Sequence, residues 1–294
     1  MKRKIILICD TKNEIDDQFA IAYALKSPEI NLLGIVASQN NRKQGKKSLE
    51  TNYLEAKNII KLAKAKIPVF RGANSPLNLA DKPKNSEGLI FIIREITKNP
   101  QKIDLVCTGP ATELASLILK RPDLVKKCRM IWLGGFKNQK EAEKFKCREE
   151  NFLGDIKAAK ILFETEANLI IIPAWGTADD LVLQSKNLSE ELKSQKSPLA
   201  NYLGEIIDNN WTKPKIISKI LPHVLKRFWV FFDLAAVAVS KNYGIVSQQK
   251  IPAPKIRKNQ FIFPKNNKFK ITIIDKIDAP AILTQVKKYL LGGN

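Results

Sequence analysis

Short apolar runs alternate with longer amphipathic segments along most of the chain. Six runs are apolar almost throughout, as strands buried on both faces are: KIILIC 4–9, NLLGIVAS 31–38, IPVF 67–70, KIDLVCTG 102–109, CRMIWLGG 128–135 and ANLIIIPA 167–174. Helix-like segments follow them at 17–26, 48–64, 110–120, 155–164 and 230–241. This alternation predicts an α/β fold with a mostly parallel central sheet flanked by helices.

No internal repeat, low-complexity tract or linker divides the chain, so residues 1–294 are predicted to form a single domain. Residues 176–228 differ in composition from the rest of the chain, because they are mostly helical in pattern, polar and partly basic. We interpret them as a helical insertion that caps the active-site end of the sheet. Pro and Asn breaks in 247–274 predict loops with short β segments, and a terminal helix is expected over 279–291.

The chain is strongly basic, with 50 Lys and Arg residues against 29 Asp and Glu residues and a net charge of +21. A charge of this size raises the alternative of a nucleic-acid-binding protein. The lysines are scattered along the whole sequence rather than gathered in one tract. Their distribution favours a solvated, lysine-rich surface over a specific nucleic-acid footprint.

The four cysteines show no CxxC spacing, which argues against both a zinc site and a disulfide framework. The apolar run near the start is only about five residues long, too short for the core of a signal peptide. No apolar stretch reaches the roughly 18 residues that a membrane-spanning helix needs. We therefore expect a soluble, cytoplasmic protein without a membrane partner.

Three aspartates are gathered in the segment IILICDTKNEIDDQFAIAYAL, residues 5–25. Asp10 follows the first predicted strand, and Asp16 and Asp17 precede a helix, so all three lie at the carboxyl edge of the sheet, where α/β proteins bind ligands. One aspartate suffices to cap a helix, whereas three repel one another unless a cation or hydrogen-bond donors neutralise them. Oxygen ligands of this kind favour Ca²⁺ or Mg²⁺. A phosphatase of the haloacid dehalogenase type would need a second aspartate where Lys12 stands.

The same segment resembles the N-terminal signature of the nucleoside hydrolases, with TKNEI as a longer form of the turn before Asp16 and Asp17. Six further segments match the family in order: IPVFRGANSPL 67–77, LVCTGPATELASLI 105–118, MIWLGG 130–135, EENFLGDIKAAKILFE 149–164, FFDLAAVAV 231–239 and ITIIDKIDAPAI 271–282. The resemblance spans nearly the entire chain. It implies an enzyme that hydrolyses the N-glycosidic bond of small-molecule ribonucleosides with one bound Ca²⁺.

The resemblance also implies the calcium ligands. They are Asp10, Asp17, the backbone carbonyl of Thr108 and Asp233, and Asp10 additionally takes a proton from the attacking water. By themselves two of these positions have simpler explanations, since Thr108 fits a turn before Pro110 and Asp233 fits a helix cap. Together the four supply hard oxygen ligands from three distant segments, as a calcium site requires.

Ribose recognition is carried over in the same way to Asp16, Glu149 and Asn151, and Asn151 is also assigned to stabilisation of the cationic sugar ring. Without the resemblance, Glu149 and Asn151 would be ordinary loop residues. An asparagine after the second strand completes this set, for which Asn41 is preferred to Asn40. Phe232 is assigned to the substrate site, where its ring could stack on the base, as could Trp175 and Trp229. Core or rim packing is the expected role of at least two of these three rings.

The chain departs from the family at two positions. Ile8 replaces the first aspartate of the signature, and Phe232 replaces a histidine that is a candidate acid for the leaving base. The only histidine, His223, is more simply explained as a surface or packing residue. Two further alternatives therefore stay open: a weakly active or inactive relative that binds a ribosyl ligand, and a hydrolase of another N-ribosyl compound. Relatives commonly form homodimers or homotetramers, and we expect the same here.

Overall fold

A computed structural model describes residues 2–77, 82–100, 102–211 and 228–292. Its strands are β1 Arg3–Cys9, β2 Ile30–Ala37, β3 Val69–Arg71, β4 Ile103–Cys107, β5 Arg129–Leu133, β6 Leu169–Ile172, β7 Val182–Gln184, β8 Phe228–Val230, β9 Ile245–Pro252, β10 Lys255–Arg257, β11 Gln260–Ile262 and β12 Lys270–Ile277. Eight of them form one sheet in the order β3-β2-β1-β4-β5-β6-β12-β9. All neighbours in this sheet are parallel except β12 and β9, which confirms the predicted fold class.

Helices cover both faces of the sheet. They are α1 Asp16–Lys26, α2 Asn41–Gln44, α3 Ser48–Leu62, α4 Glu87–Lys98, α5 Thr112–Lys120, α6 Gln139–Lys144, α7 Glu150–Gly154, α8 Ile156–Phe163, α9 Ser185–Lys193, α10 Pro198–Trp211, α11 Leu234–Ser240 and α12 Ala279–Leu290. Among the described residues, none of these helices combines the length and the apolar character that crossing a bilayer requires.

Two predictions of local structure were wrong. Residues 247–274 were expected to be loops with short β segments, but β9 and β12 are eight-residue strands of the main sheet. The strand β9 was not recognised in the sequence because many of its side chains are polar. They can be polar because β9 lies at the sheet edge, where many of its positions are exposed. The helix expected over 230–241 begins only at Leu234, since Val230 pairs with Val182 in a short antiparallel ribbon.

The predicted insertion is helical through α9 and α10, but it also contains β7. Its residues 212–227, including His223, lie outside the described part of the chain. The division of the chain into a single domain of residues 1–294 stays a prediction.

Successive residues of β1 enter different apolar layers, as the period of two in a strand requires. Ile5 and Leu7 pack in the layer that contains α1, and Ile6 and Ile8 pack in the layer that contains α4 and α5. Ile8, which stands in place of the first signature aspartate, is inaccessible to solvent. An aspartate there would need partners in an otherwise apolar layer, so the local packing explains why isoleucine is tolerated.

Glu113 is a fully buried acid on α5 that binds Ala73, two residues after β3, and Ser86, the N-cap of α4. Its Oε1 accepts hydrogen bonds from the backbone nitrogen of Ala73 and, at 3.4 Å, from the Ser86 hydroxyl. Burial raises the pKa of Glu113 from 4.5 to about 7, although both hydrogen bonds act to lower it. As the pH rises, Glu113 therefore loses its proton at a lower pH in the unfolded chain than in the folded chain.

We expect the Glu113→Gln variant to show a smaller loss of stability with rising pH than the wild type. A raised folded-state pKa contributes stability that is fully present below the unfolded pKa and is lost as pH rises through about 7. Glutamine keeps the acceptor for Ala73 and Ser86 but does not ionise. Urea unfolding at pH 5 and pH 8 measures the difference, and parallel pH profiles for the two proteins would contradict the assignment.

Candidate functional site

Four buried aspartates meet at the carboxyl edge of the sheet. Asp10 follows β1, Asp16 and Asp17 form the first turn of α1, and Asp233 immediately precedes α11. None of them is more than 5% exposed. The carboxyl groups of Asp17 and Asp233 hydrogen-bond to each other, and each is close enough to the remaining acids to repel them. The fold thus joins acids that lie more than two hundred positions apart in the sequence.

Asp10 is held from two sides. Its Oδ2 accepts a hydrogen bond of 2.6 Å from the Asn40 side-chain amide. Its Oδ1 faces Gly109, where an added Cβ would lie only 2.8 Å from that oxygen. Burial raises the pKa of Asp10 to about 6, and the hydrogen bond from Asn40 opposes this rise. A carboxylate with such a pKa is ionised at neutral pH and can still accept a proton.

The asparagine beside Asp10 is Asn40 and not the preferred Asn41. Asn40 is inaccessible to solvent and caps α2, whereas Asn41 is the first residue of that helix. The Asn41 amide instead donates to the Asn74 carbonyl at 2.9 Å, and its oxygen accepts from Ser48. Adjacent residues at the start of a helix point in different directions, so the sequence alone could not distinguish the two.

Thr108 connects the metal-binding candidates to the middle of the chain. Its hydroxyl donates to Asp17 Oδ1 at 2.7 Å, and its backbone carbonyl accepts from the Asn151 amide at 2.7 Å. The same amide nitrogen donates to the Leu133 carbonyl at 3.0 Å. Both amide hydrogens of Asn151 are therefore committed to the ends of β4 and β5, which leaves the side-chain oxygen as its remaining polar group.

Glu149 is placed as the N-cap of α7. One carboxylate oxygen accepts from the backbone nitrogen of Asn151, and the other accepts from Gly135 and Phe152, each at 2.8 Å. Burial raises the pKa of Glu149 to about 7, although these three hydrogen bonds act to lower it. Glu149 therefore has a clear structural role, and its predicted contact with ribose stays a prediction.

An aromatic row lies beside Asp233. The Phe232 ring meets Trp175 edge-on, with centroids 5.6 Å apart, and Trp175 stacks on Phe145 at 4.2 Å. Phe232 is 9% exposed, while Trp175 and Phe145 are partly exposed. Trp175 and Phe232 were predicted from the sequence as base-stacking candidates, whereas Phe145 was missed because α6 and the following loop carry no recognisable motif.

The sequence profile of the inosine-uridine preferring nucleoside hydrolase family matches residues 5–283. The chain belongs to the nucleoside hydrolase family. A probable uridine nucleosidase 2 of Arabidopsis thaliana is 28% identical over 232 residues, 70% of this chain and 69% of that protein. The pyrimidine-specific ribonucleoside hydrolase RihA of Salmonella arizonae is 26% identical over 234 residues, 71% of each. This confirms the resemblance and places the chain among the N-glycosidases.

Solved nucleoside hydrolases share the fold. A plant nucleoside hydrolase superposes with a TM-score of 0.78 at 19% identity, over 99% of both chains. A purine-preferring ribonucleoside hydrolase from Gardnerella vaginalis gives 0.77 at 20% identity, over 98% of both chains. At these identities the likeness concerns the architecture alone.

The candidate ligands of this nucleoside hydrolase are carboxylate and carbonyl oxygens, which are the ligands that a hard divalent cation prefers. Burial and the neighbouring acids raise the pKa of both Asp17 and Asp233 well above the ordinary value, an unfavourable arrangement that a bound cation would relieve. In the described part of the chain, however, no three or more His, Cys, Asp or Glu side chains are spaced as a metal site. The side chains would therefore have to adjust around an ion.

We expect the Gly109→Ala variant of this hydrolase to lose most of its activity while it remains folded. The new methyl group would meet Asp10 Oδ1 at 2.8 Å and the Asp10 backbone nitrogen at 3.3 Å, so the carboxylate would have to move. A displacement of this kind costs on the order of 100-fold in rate. Steady-state kinetics on a hydrolysed nucleoside measures the loss, and wild-type kinetics would show that Asp10 tolerates the shift.

Proposed function

We propose that the chain is a Ca²⁺-dependent ribonucleoside hydrolase that releases ribose and a free base. The observation that supports this most is the meeting of Asp10, Asp17 and Asp233 at one edge of the sheet, beside Thr108, whose hydroxyl donates to Asp17. A Ca²⁺ ion held by these four residues would bind the ribose hydroxyls and lower the pKa of a water molecule. The remaining steps are assigned to the side chains of the protein.

Asp10 acts as the general base in this proposal. Its Oδ2 is engaged by Asn40, and its pKa of about 6 leaves it ionised at neutral pH and able to take the proton of the attacking water. Glycosidic cleavage develops positive charge on the sugar ring. Asn151 would face that charge with its carbonyl oxygen, because both hydrogens of its amide are already donated to backbone carbonyls. Asp16 and Glu149 are proposed to hold the ribose hydroxyls.

A panel of ribonucleosides, each assayed with and without EDTA, tests the proposal. We expect free ribose from at least one member, loss of that activity in EDTA, and its recovery on addition of Ca²⁺. Absence of ribose from every member would contradict the proposed activity. Retention of an unhydrolysed nucleoside in that case would favour the ribosyl-binding relative instead.

Phe232 favours a second candidate, hydrolysis of another N-ribosyl compound. A phenylalanine cannot protonate a departing base, but a pyridinium riboside releases its base in neutral form and needs no acid. Its cationic ring would also suit an aromatic row. The panel therefore includes nicotinamide riboside, and a preference for it over uridine and inosine would select this candidate. A cytoplasmic location and assembly as a homodimer or homotetramer stay predictions.

A further inference from the structure

Three buried polar side chains share one face of the N-terminal half of α3. Ser48 and Asn52 are inaccessible to solvent, and Glu55 is 7% exposed. Their spacing of four and three residues aligns them along the helix. The next turns of α3 bury Ala56 and Ile59 in the apolar core instead. We call Ser48, Asn52 and Glu55 the α3 polar face. Polar groups at such depth require partners, and all three have them.

Two of these side chains bind the loop that follows β2. The Ser48 hydroxyl accepts a hydrogen bond from the Asn40 backbone nitrogen at 3.0 Å. The Asn52 amide donates to the Ser38 carbonyl at 2.9 Å and to the Gln44 side chain at 3.2 Å. This loop is the one that carries the Asn40 amide to Asp10. The loop backbone is thus fixed by α3 at Ser38 and at Asn40, and the Gln44 side chain is held as well.

The same face binds the loop that follows β1. The Asn52 side-chain oxygen accepts from the Lys12 backbone nitrogen at 2.9 Å. Glu55 accepts from the Lys12 ammonium group at 3.2 Å and from Gln18, next to Asp17 on α1, at 3.3 Å. Glu55 also accepts from the Tyr202 hydroxyl of α10 at 2.5 Å. Lys12 stands two residues after Asp10, so this loop too is held close to the catalytic candidate.

Asn52 is therefore the residue that joins the two loops. Its oxygen holds the backbone two residues after Asp10, and its amide holds the backbone two residues before Asn40. The 2.6 Å contact between the Asp10 and Asn40 side chains depends on the relative position of these loops. Loops lack the internal hydrogen bonds that fix strands and helices, so a site built on them needs support from a rigid element.

We propose that the α3 polar face, with Asn52 at its centre, positions Asp10 against Asn40 for catalysis. The inference rests on the proposed function, because Asp10 is the general base there. The three side chains are assigned as positioning residues. Their effect would be transmitted through the two loops and would appear in the rate of the chemical step.

Replacement of Asn52 by leucine tests the proposal. Leucine has a similar volume but leaves the Lys12 nitrogen and the Ser38 carbonyl without their partner. We expect kcat for the best nucleoside to fall about 10- to 100-fold, with KM within about threefold of the wild type. Amide hydrogen exchange over 10–18 and 38–45 should accelerate in the same variant. Ser48→Ala, a smaller change that frees the Asn40 backbone nitrogen and the Asn41 side-chain oxygen, should lower kcat by less and serves if N52L does not fold.

Asp104→Asn is the matched control. Asp104 is a buried acid near the amino-terminal end of β4, whereas the candidate site lies at the carboxyl ends of the strands. Its carboxylate accepts from the Arg129 guanidinium at 2.6 and 3.0 Å. D104N should lower the unfolding temperature and leave kcat and the exchange of both loops unchanged. If N52L and S48A lose stability as D104N does but keep the wild-type kcat, the proposal is overturned. A failure of the proposed function can be distinguished from a failure of this inference, because the wild type itself would then hydrolyse no member of the panel.

Discussion

Replacement of Asp10 by asparagine is expected to lower kcat by about 1,000-fold, because asparagine cannot accept the proton of the attacking water. The substitution preserves shape and still offers an oxygen to the Asn40 amide, which now donates to Asp10 at 2.6 Å. The folded structure should therefore survive, and the loss should reside in the chemical step. Single-turnover and steady-state assays on the best nucleoside of the panel measure it.

The control for this experiment is again D104N, which removes a buried carboxylate far from the site. It should retain the wild-type rate even though it loses an ion pair with Arg129. A D10N enzyme that kept more than about a tenth of the wild-type kcat would remove Asp10 from the role of general base, since such bases contribute about 100- to 10,000-fold.

The second large effect concerns Asp233 and the binding of Ca²⁺. In EDTA, the Asp233→Asn variant is expected to unfold at a higher temperature than the wild type. Burial and the neighbouring Asp16 and Asp17 raise the pKa of Asp233, so its carboxyl group is unfavourable where it lies. An asparagine there is uncharged and can donate to Asp17. The variant should therefore gain stability while it loses the negative charge that is proposed to bind the ion.

Addition of Ca²⁺ should reverse this order. At 100 times its dissociation constant an ion that binds only the folded state contributes about 2.7 kcal/mol, or roughly 5 °C in a chain of this size. We expect the wild type to show this shift in scanning calorimetry and the Asp233→Asn variant to show almost none. An equal shift in both proteins would mean that Asp233 is not a ligand.

The central sheet could be predicted from the sequence where its strands are buried on both faces. The apolar runs of β1, β2, β4, β5 and β6 were recognised because such strands leave few positions for polar residues. The last two strands of the sheet were missed for the opposite reason. β9 lies at the lateral edge of the sheet, and the buried positions of β12 are interrupted by exposed and half-buried polar ones.

Some residues of the candidate site could be predicted from the sequence, and others could not. Asp10, Asp16 and Asp17 stand together in the sequence, so their convergence needed only the turn between β1 and α1. The contact of Glu149 with ribose stays a prediction, and the structure adds that Glu149 caps α7 and accepts from the distant Gly135 backbone nitrogen. Asn52 was not considered at all, because a single asparagine within a helical pattern carries no sign of the loops that it binds.

The sequence by itself determined the α/β class, the acidic turn after β1 and membership in the nucleoside hydrolase family. All three depend on local residue patterns and on the order of those patterns along the chain. Only the tertiary structure decided that Asn40 and not Asn41 faces Asp10, and that Asp233 contacts Asp17. It also decided that α3 binds the loops on either side of the site. Such contacts depend on side-chain direction and on the closure of long stretches of chain, and neither is encoded in the neighbouring residues.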